Sequence, residues 1–89
     1  MAELEIEIKN KLGLHLRAAA TLVKITTQFK CEIFIKKDED EVNGKSIMGI
    51  MTLAAAQGTK LIFKATGADE KEALEKIREI VENKFGEGQ

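Results

Sequence analysis

The sequence predicts a two-layer, open-faced α/β sandwich of the α+β class, in which three helices lie on one face of a four-stranded antiparallel sheet. Two observations predict it. The strand-like segments alternate apolar and charged residues, as in a sheet with one covered face, so every helix must lie on that side. An acidic turn at 38–41 joins two of these segments, and strands joined by so tight a turn pair antiparallel. The 89 residues suffice for one modest core, so we expect a single domain over 1–89.

The first half of the chain supplies the elements β-α-β-β. Glu3–Lys9 alternates strictly and predicts a half-buried strand. A helix is predicted from Leu16 to about Phe29, since apolar residues recur there at helical spacing. Glu32–Lys37 alternates again, and the acidic turn then leads into a short edge strand near Val42.

The second half continues α-β-α and completes the order β-α-β-β-α-β-α. Ser46 is predicted to cap a short helix from Ile47 to about Ala55. Leu61–Thr66 alternates as a strand. Asp69 is then expected to cap a long last helix, whose apolar positions fall at helical spacing: Ala73, Leu74, Ile77, Ile80, Val81 and Phe85.

Composition excludes several functional classes. The net charge is -1 and the aromatic residues are four Phe with no Tyr or Trp, so neither nucleic-acid nor direct membrane binding is indicated. Cys31 is the single cysteine and cannot form an intramolecular disulfide, which favours a reducing compartment and a plain core role. No apolar run approaches the roughly 20 residues of a membrane span, and the acidic N-terminus is unlike a signal peptide. We expect a cytoplasmic protein, most simply a monomer.

Metal and nucleotide sites find no support. His15 and Cys31 are too few for a closed zinc site, and the acidic turn lacks the glycine and ligand spacing of a calcium loop. The letters GKS at 44–46 resemble the end of a P-loop, but Glu39 stands where the earlier glycine is required. The sequence therefore predicts no metal and no cofactor.

The only histidine lies at the start of the first helix. Gly13 lets the backbone turn sharply before it, and the free N–H groups and positive dipole end of the helix come directly after it. Arg17 can reach the same point, and guanidinium groups bind phosphate oxygens. These features predict that His15 is a nucleophile for a phosphoryl group, against the alternative of a plain surface histidine. No second acid or base is nearby, so a carrier site is favoured over a hydrolytic one.

Two apolar groups flank this region. Leu16 and Ala20 share a helix stripe that continues to Lys24, while Ile47, Met48 and Met51 form a second group. Both groups could belong to the core, but the core is already supplied by other faces. Two methionines among the extra residues suit an adaptable docking surface.

Ser46 has two interpretations. It is a favourable helix N-cap and needs no other role. The functional alternative is phosphorylation, because a phosphate at a helix N-terminus is electrostatically tolerated while the surface charge changes sharply.

Three stretches together resemble the HPr family, the histidine-containing phosphocarriers of the bacterial sugar phosphotransferase system. GLHLRAA (13–19) is similar to the active-site motif, VNGKSIMGIMTLAAAQGTKL (42–61) to the regulatory-serine segment, and TGADEKEAL (66–74) to the start of the last helix. The resemblance covers essentially the whole chain. Ala18 stands where the family usually has Pro, and Leu12 at a position that is often polar in relatives.

The resemblance implies a stoichiometric carrier rather than an enzyme. His15 would take a phosphoryl group on Nδ1 from enzyme I and pass it to sugar-specific IIA domains, and Arg17 would steady the phosphohistidine. Ser46 would be a target of HPr kinase/phosphorylase, hindering enzyme I and creating a corepressor for a catabolite regulator. The alternatives are a binding module regulated through Ser46 and a nitrogen-related phosphocarrier. The expected partner-binding residues are Leu14, Leu16, Ala20, Lys24, Ile47, Met48 and Met51.

Overall fold

The computed structural model describes residues 1–86. It confirms the predicted fold class and element order. The strands are β1 (Ala2–Glu7), β2 (Glu32–Lys37), β3 (Asp40–Asn43) and β4 (Lys60–Thr66), and the helices are α1 (Leu16–Thr26), α2 (Ile47–Thr52) and α3 (Glu70–Glu82), followed by a 3₁₀ turn at Lys84–Gly86.

The four strands form one antiparallel sheet in the order β1-β4-β2-β3. Phe63 of β4 lies opposite both Leu4 of β1 and Ile35 of β2, so the apolar faces of three strands are in register. A shift by one residue would turn every one of these side chains to solvent, and the alternating pattern therefore fixes the register.

The core lies between this covered face and the helices. Leu22 of α1 and Ile77 and Val81 of α3 are fully buried against it, as the helical spacing predicts. Among residues 1–86, no helix combines the length and the apolar character that crossing a bilayer requires.

Two helices end earlier than their apolar spacing predicts. α1 stops at Thr26, and Phe29 follows in tight turns that keep it packed against the core. The Lys45 ammonium group donates to the Phe29 carbonyl oxygen (2.6 Å), satisfying an acceptor beyond the helix end. α2 stops at Thr52 because Ala54 takes a left-handed conformation (φ 49°), which no α-helix continues.

Asp69 does not cap α3 with its side chain. Its carboxylate instead accepts hydrogen bonds from the backbone N–H groups of Lys30 (2.8 Å) and Cys31 (3.0 Å), 39 and 38 residues away. The bond from Lys30 is the main reason that the pKa of Asp69 lies below its ordinary value. The predicted cap residue therefore ties the start of α3 to the start of β2.

The predictions for Cys31 and Phe85 have different outcomes. Cys31 is buried in the core as expected, and burial, together with the neighbouring Asp69, raises the pKa of its thiol to about 11. Phe85 is buried too, but it lies past the end of α3 in a left-handed conformation (φ 54°). Its side chain reaches the core from the 3₁₀ turn rather than from the helix.

Candidate functional site

The loop between β1 and α1 is fixed at both ends. Ile8 exchanges backbone hydrogen bonds with Gly58 and Thr59, and the Leu14 N–H donates to the Ala55 carbonyl oxygen (2.8 Å). Gly13 has φ 70°, and a Cβ there would lie 2.6 Å from the Ala55 oxygen. The conformation thus requires glycine for both its torsion angle and its close approach to the neighbouring backbone.

Asn10 stabilises this loop from inside, a role that the sequence did not reveal. Its side chain is fully buried, and its Nδ2 donates to the Gly13 carbonyl oxygen (2.6 Å). A buried amide that bonds the backbone three residues on holds the turn in one shape. The signal for it is weak, because Asn is also common in exposed turns.

His15 is the N-cap residue of α1. Its backbone is extended (φ -77°, ψ 179°), its side chain is partly buried, and its Nδ1 accepts a hydrogen bond from the Arg17 N–H at 3.3 Å. A neutral imidazole that accepts on Nδ1 carries its proton on Nε2. The lone pair of Nδ1 therefore lies at the positive end of the helix dipole.

The first turn of α1 surrounds this nitrogen with donors. The first bond of the helix runs from the Ala19 N–H to the His15 carbonyl oxygen (2.8 Å), so the N–H groups of residues 16–18 have no acceptor within the helix. The Arg17 side chain is exposed beside them. His15 and Arg17 line one open cleft of about 820 Å³, together with Leu12, Leu16, Ala20, Phe85 and Gly86.

The structure thus brings His15, Arg17 and the start of the helix together, as the sequence predicts. Among residues 1–86, no group of three His, Cys, Asp or Glu side chains has an arrangement that could hold a metal ion. What the cleft offers is a nitrogen nucleophile, backbone donors and the Arg17 guanidinium, which together suit a phosphoryl group.

Most of the predicted partner-binding residues lie at the surface. Leu16 and Met48 are 62% and 78% exposed, and Ala20, Lys24 and Met51 are also exposed, whereas Ile47 is half-buried. Since α1 and α2 pack against each other, the two apolar groups lie on neighbouring helices. We call the residues Leu16, Ala20, Lys24, Ile47, Met48 and Met51 the docking surface.

Leu14 and Leu12 depart from the sequence interpretation in opposite directions. Leu14 was expected to bind partners, but its side chain is only 5% exposed and belongs to the core. Its backbone bond to Ala55 draws it inward, so its side chain is not available for docking. Leu12, which was not assigned to docking, is 65% exposed and lines the cleft.

Ser46 caps α2, as predicted. Its Oγ accepts a hydrogen bond from the Gly49 N–H (3.0 Å), and its own N–H donates to the Asn43 carbonyl oxygen (3.1 Å). The residue is partly exposed. The Ser46 hydroxyl therefore has a structural role. In the sequence, Ser46 directly precedes Ile47, a residue of the docking surface.

Comparison with known proteins gives consistent relatives. The family described as the PTS HPr component phosphorylation site matches residues 2–83. The chain is 47% identical to the phosphocarrier protein HPr of Neisseria meningitidis serogroup A, over 100% of both chains. It is 43% identical to the HPr-like protein Crh of Bacillus subtilis, over 92% of this chain and 96% of that one.

A solved structure shows the same fold. The crystal structure of HPr from Thermoanaerobacter tengcongensis has a TM-score of 0.94 and 48% identity, over 98% of both chains. A crystal structure of an HPr dimer from the same organism has a TM-score of 0.79, so the monomeric state of the present chain stays a prediction. A full-length family match, relatives of this identity and the shared fold lead to one conclusion: the chain belongs to the HPr family of phosphocarrier proteins of the phosphotransferase system.

Proposed function

We propose that the protein accepts a phosphoryl group on Nδ1 of His15 from phosphorylated enzyme I and passes it to sugar-specific IIA domains. The observation that carries this proposal is the hydrogen bond from the Arg17 N–H to Nδ1, which places this nitrogen at the start of α1, where His15 and Arg17 line one cleft. Nδ1 and the groups that stabilise an anion therefore lie in the same cleft.

The chemistry follows from this arrangement. The Nδ1 lone pair forms a bond to phosphorus while the bond from phosphorus to the donor breaks and its electron pair stays with the donor. The ring keeps its proton on Nε2 in this step and carries a positive charge once the N–P bond has formed. The added oxygens then take over the Arg17 N–H and the field of the helix dipole, and the guanidinium lies beside the same cleft. Transfer to a IIA domain reverses these steps.

The docking surface would serve both partners in turn. Any donor or acceptor must bring its own reactive group to Nδ1, so both proteins must cover the residues around it. Leu16 exposes apolar surface in the cleft, and Met48 exposes apolar surface on the neighbouring helix α2, where methionine adapts to differently shaped partners. A carrier with one shared surface can bind only one partner at a time.

The test is the intact mass of the protein after incubation with phosphoenolpyruvate, magnesium and a bacterial enzyme I. We expect one added phosphoryl group, labile in acid, in the wild type and in the control variant Ser46→Ala. His15→Ala should gain none. An acid-stable phosphate under these conditions, or labelling of His15→Ala, would contradict the proposal.

A second role is supported by the position of Ser46. Its Oγ is an N-cap acceptor at the edge of the docking surface, and one relative is the HPr-like protein Crh. We propose that an ATP-dependent HPr kinase/phosphorylase modifies Ser46, which would hinder enzyme I docking and create a corepressor for a catabolite regulator. In an organism with an incomplete transport system, this role would replace sugar uptake.

Incubation with ATP and this kinase tests the second role. We expect an acid-stable phosphate in the wild type and in His15→Ala, and none in Ser46→Ala. If the wild type carries the acid-stable phosphate but never the acid-labile one, the protein is a module regulated through Ser46. If the acid-labile phosphate passes to a nitrogen-related IIA domain and not to a sugar-specific one, the nitrogen-related branch is correct.

A further inference from the structure

Ala18 contributes a backbone donor at the start of α1 that the resting structure leaves unused. It is the third residue of the helix, and its exposed fraction is 0%. Its neighbours on both sides donate to His15, Arg17 to Nδ1 and Ala19 to the carbonyl oxygen. Among residues 1–86, the Ala18 N–H makes no hydrogen bond to the protein. A buried donor without an acceptor is costly, and such groups in native proteins call for an explanation.

We infer that the Ala18 N–H is a positioning donor for the phosphoryl group on His15, acting beside the Arg17 N–H. The inference rests on the proposed function and adds a residue to it. In a capped helix, the side chain of the N-cap residue faces the N–H groups of the second and third helical residues. At α1 these are Arg17 and Ala18, and only the first is occupied by Nδ1.

A phosphoryl group supplies more hydrogen-bond acceptors than the single nitrogen Nδ1 does. Nδ1 has one lone pair, and the new N–P bond consumes it, so phosphorylation removes the acceptor that now caps the helix. The three oxygens replace it, and two of them can bind the two N–H groups at once. Because the group is attached covalently to an atom 3.3 Å from the Arg17 nitrogen, it needs no open path from solvent to reach a buried neighbour.

The direct test is the amide resonance of Ala18 in ¹⁵N-labelled protein, before and after phosphorylation by enzyme I. We expect the Ala18 amide proton to move downfield on phosphorylation, since it gains a charge-assisted hydrogen bond. Ala19 is the internal control, because its N–H already donates to the His15 carbonyl oxygen at 2.8 Å. Phosphohistidine formation with no larger shift at Ala18 than at Ala19 would overturn the inference while leaving the proposed function intact. Failure to form phosphohistidine would overturn both.

A variant pair tests the consequence for transfer. Ala18→Pro removes the N–H and little else from the backbone, because proline is tolerated in the first turn of a helix. Ala18→Gly is the matched control, since it keeps the N–H and loses the methyl group. We expect the equilibrium constant for phosphoryl transfer from enzyme I to fall about tenfold in Ala18→Pro relative to Ala18→Gly, as for the loss of one hydrogen bond to a charged group. Equal constants in the two folded variants would contradict the inference. The amide shift decides the matter in wild-type protein even if the proline ring prevents folding.

Discussion

The substitution Gly13→Ala tests how the fold holds the site in place. Two costs arise from the structure. The residue has φ 70°, where a side chain costs about 1 kcal/mol, and the new Cβ would lie 2.6 Å from the Ala55 carbonyl oxygen. No backbone atom tolerates such an approach, so either the loop or the oxygen must move. The oxygen is the acceptor for the Leu14 N–H, and a buried bond lost in this way costs about 1–3 kcal/mol.

We therefore expect Gly13→Ala to lower the free energy of unfolding by about 3 kcal/mol. Gly58→Ala is the matched control. Its φ of 89° is also left-handed, but a Cβ there meets nothing within 4 Å. It should lose only the torsional cost of about 1 kcal/mol. The difference between the two variants isolates the close approach to Ala55.

Urea denaturation followed by circular dichroism measures both variants. The midpoint of Gly13→Ala should fall by at least about 1 M with an unchanged slope, and that of Gly58→Ala by clearly less. Because Gly13 lies two residues before His15, the first variant should also be phosphorylated more slowly by enzyme I in its folded state. Equal midpoints for the two variants would refute the reasoning, since the backbone contact would then contribute nothing.

Three further expectations follow from other parts of the molecule. Met48→Lys should weaken enzyme I binding, measured by titration calorimetry. It should not lower the melting temperature, because the Met48 side chain is 78% exposed. Unchanged affinity would show that Met48 is not part of the docking surface. His15→Ala should lose no more than about 1 kcal/mol of stability, the usual worth of an N-cap, and a larger loss in urea denaturation would mean that the ring is part of the core. Asp69→Asn should flatten the acid limb of the stability curve. The pKa of Asp69 is lowered by its bond from Lys30, so its contribution to the free energy of unfolding is present above the unfolded pKa and lost as the pH falls through the folded pKa. Denaturation series at about pH 7 and about pH 2 should therefore show a smaller difference in the free energy of unfolding for the variant than for the wild type.

Local patterns carried the prediction of the fold. The strict alternation in β1 and β4 and the helical spacing in α3 each reflect contact with the same core, so element order and covered face follow from them. The ends of helices depend instead on distant partners. Lys45 bonds the carbonyl of Phe29, and Lys37 bonds that of Leu53, each 16 residues away in the sequence. No periodicity encodes such contacts.

Candidate site residues can be selected from the sequence where their chemistry is distinctive, whereas the placement of a side chain cannot be predicted where packing decides it. A lone histidine with an arginine at a helix start is visible in the sequence, whereas the burial of Leu14 is not, because a loop has no period that assigns a side chain to one face. Asp69 shows the same limit. A cap residue was recognisable, but its preference for the N–H groups at the start of β2 arises only once the chain has folded.

The proposed phosphorylation sites are both N-cap residues, yet they differ in one chemical respect. At Ser46, the Oγ that accepts from the Gly49 N–H stays an oxygen after modification, so the cap is altered but kept. At His15, the capping atom is also the nucleophile, and its lone pair is consumed by the new bond. If His15 carries a phosphoryl group as proposed, its oxygens would have to replace the cap, and transfer to the next protein would restore the original bond to Arg17. Under the proposed function, loading and unloading would exchange one cap acceptor for another at the same helix end, so neither state would leave α1 uncapped.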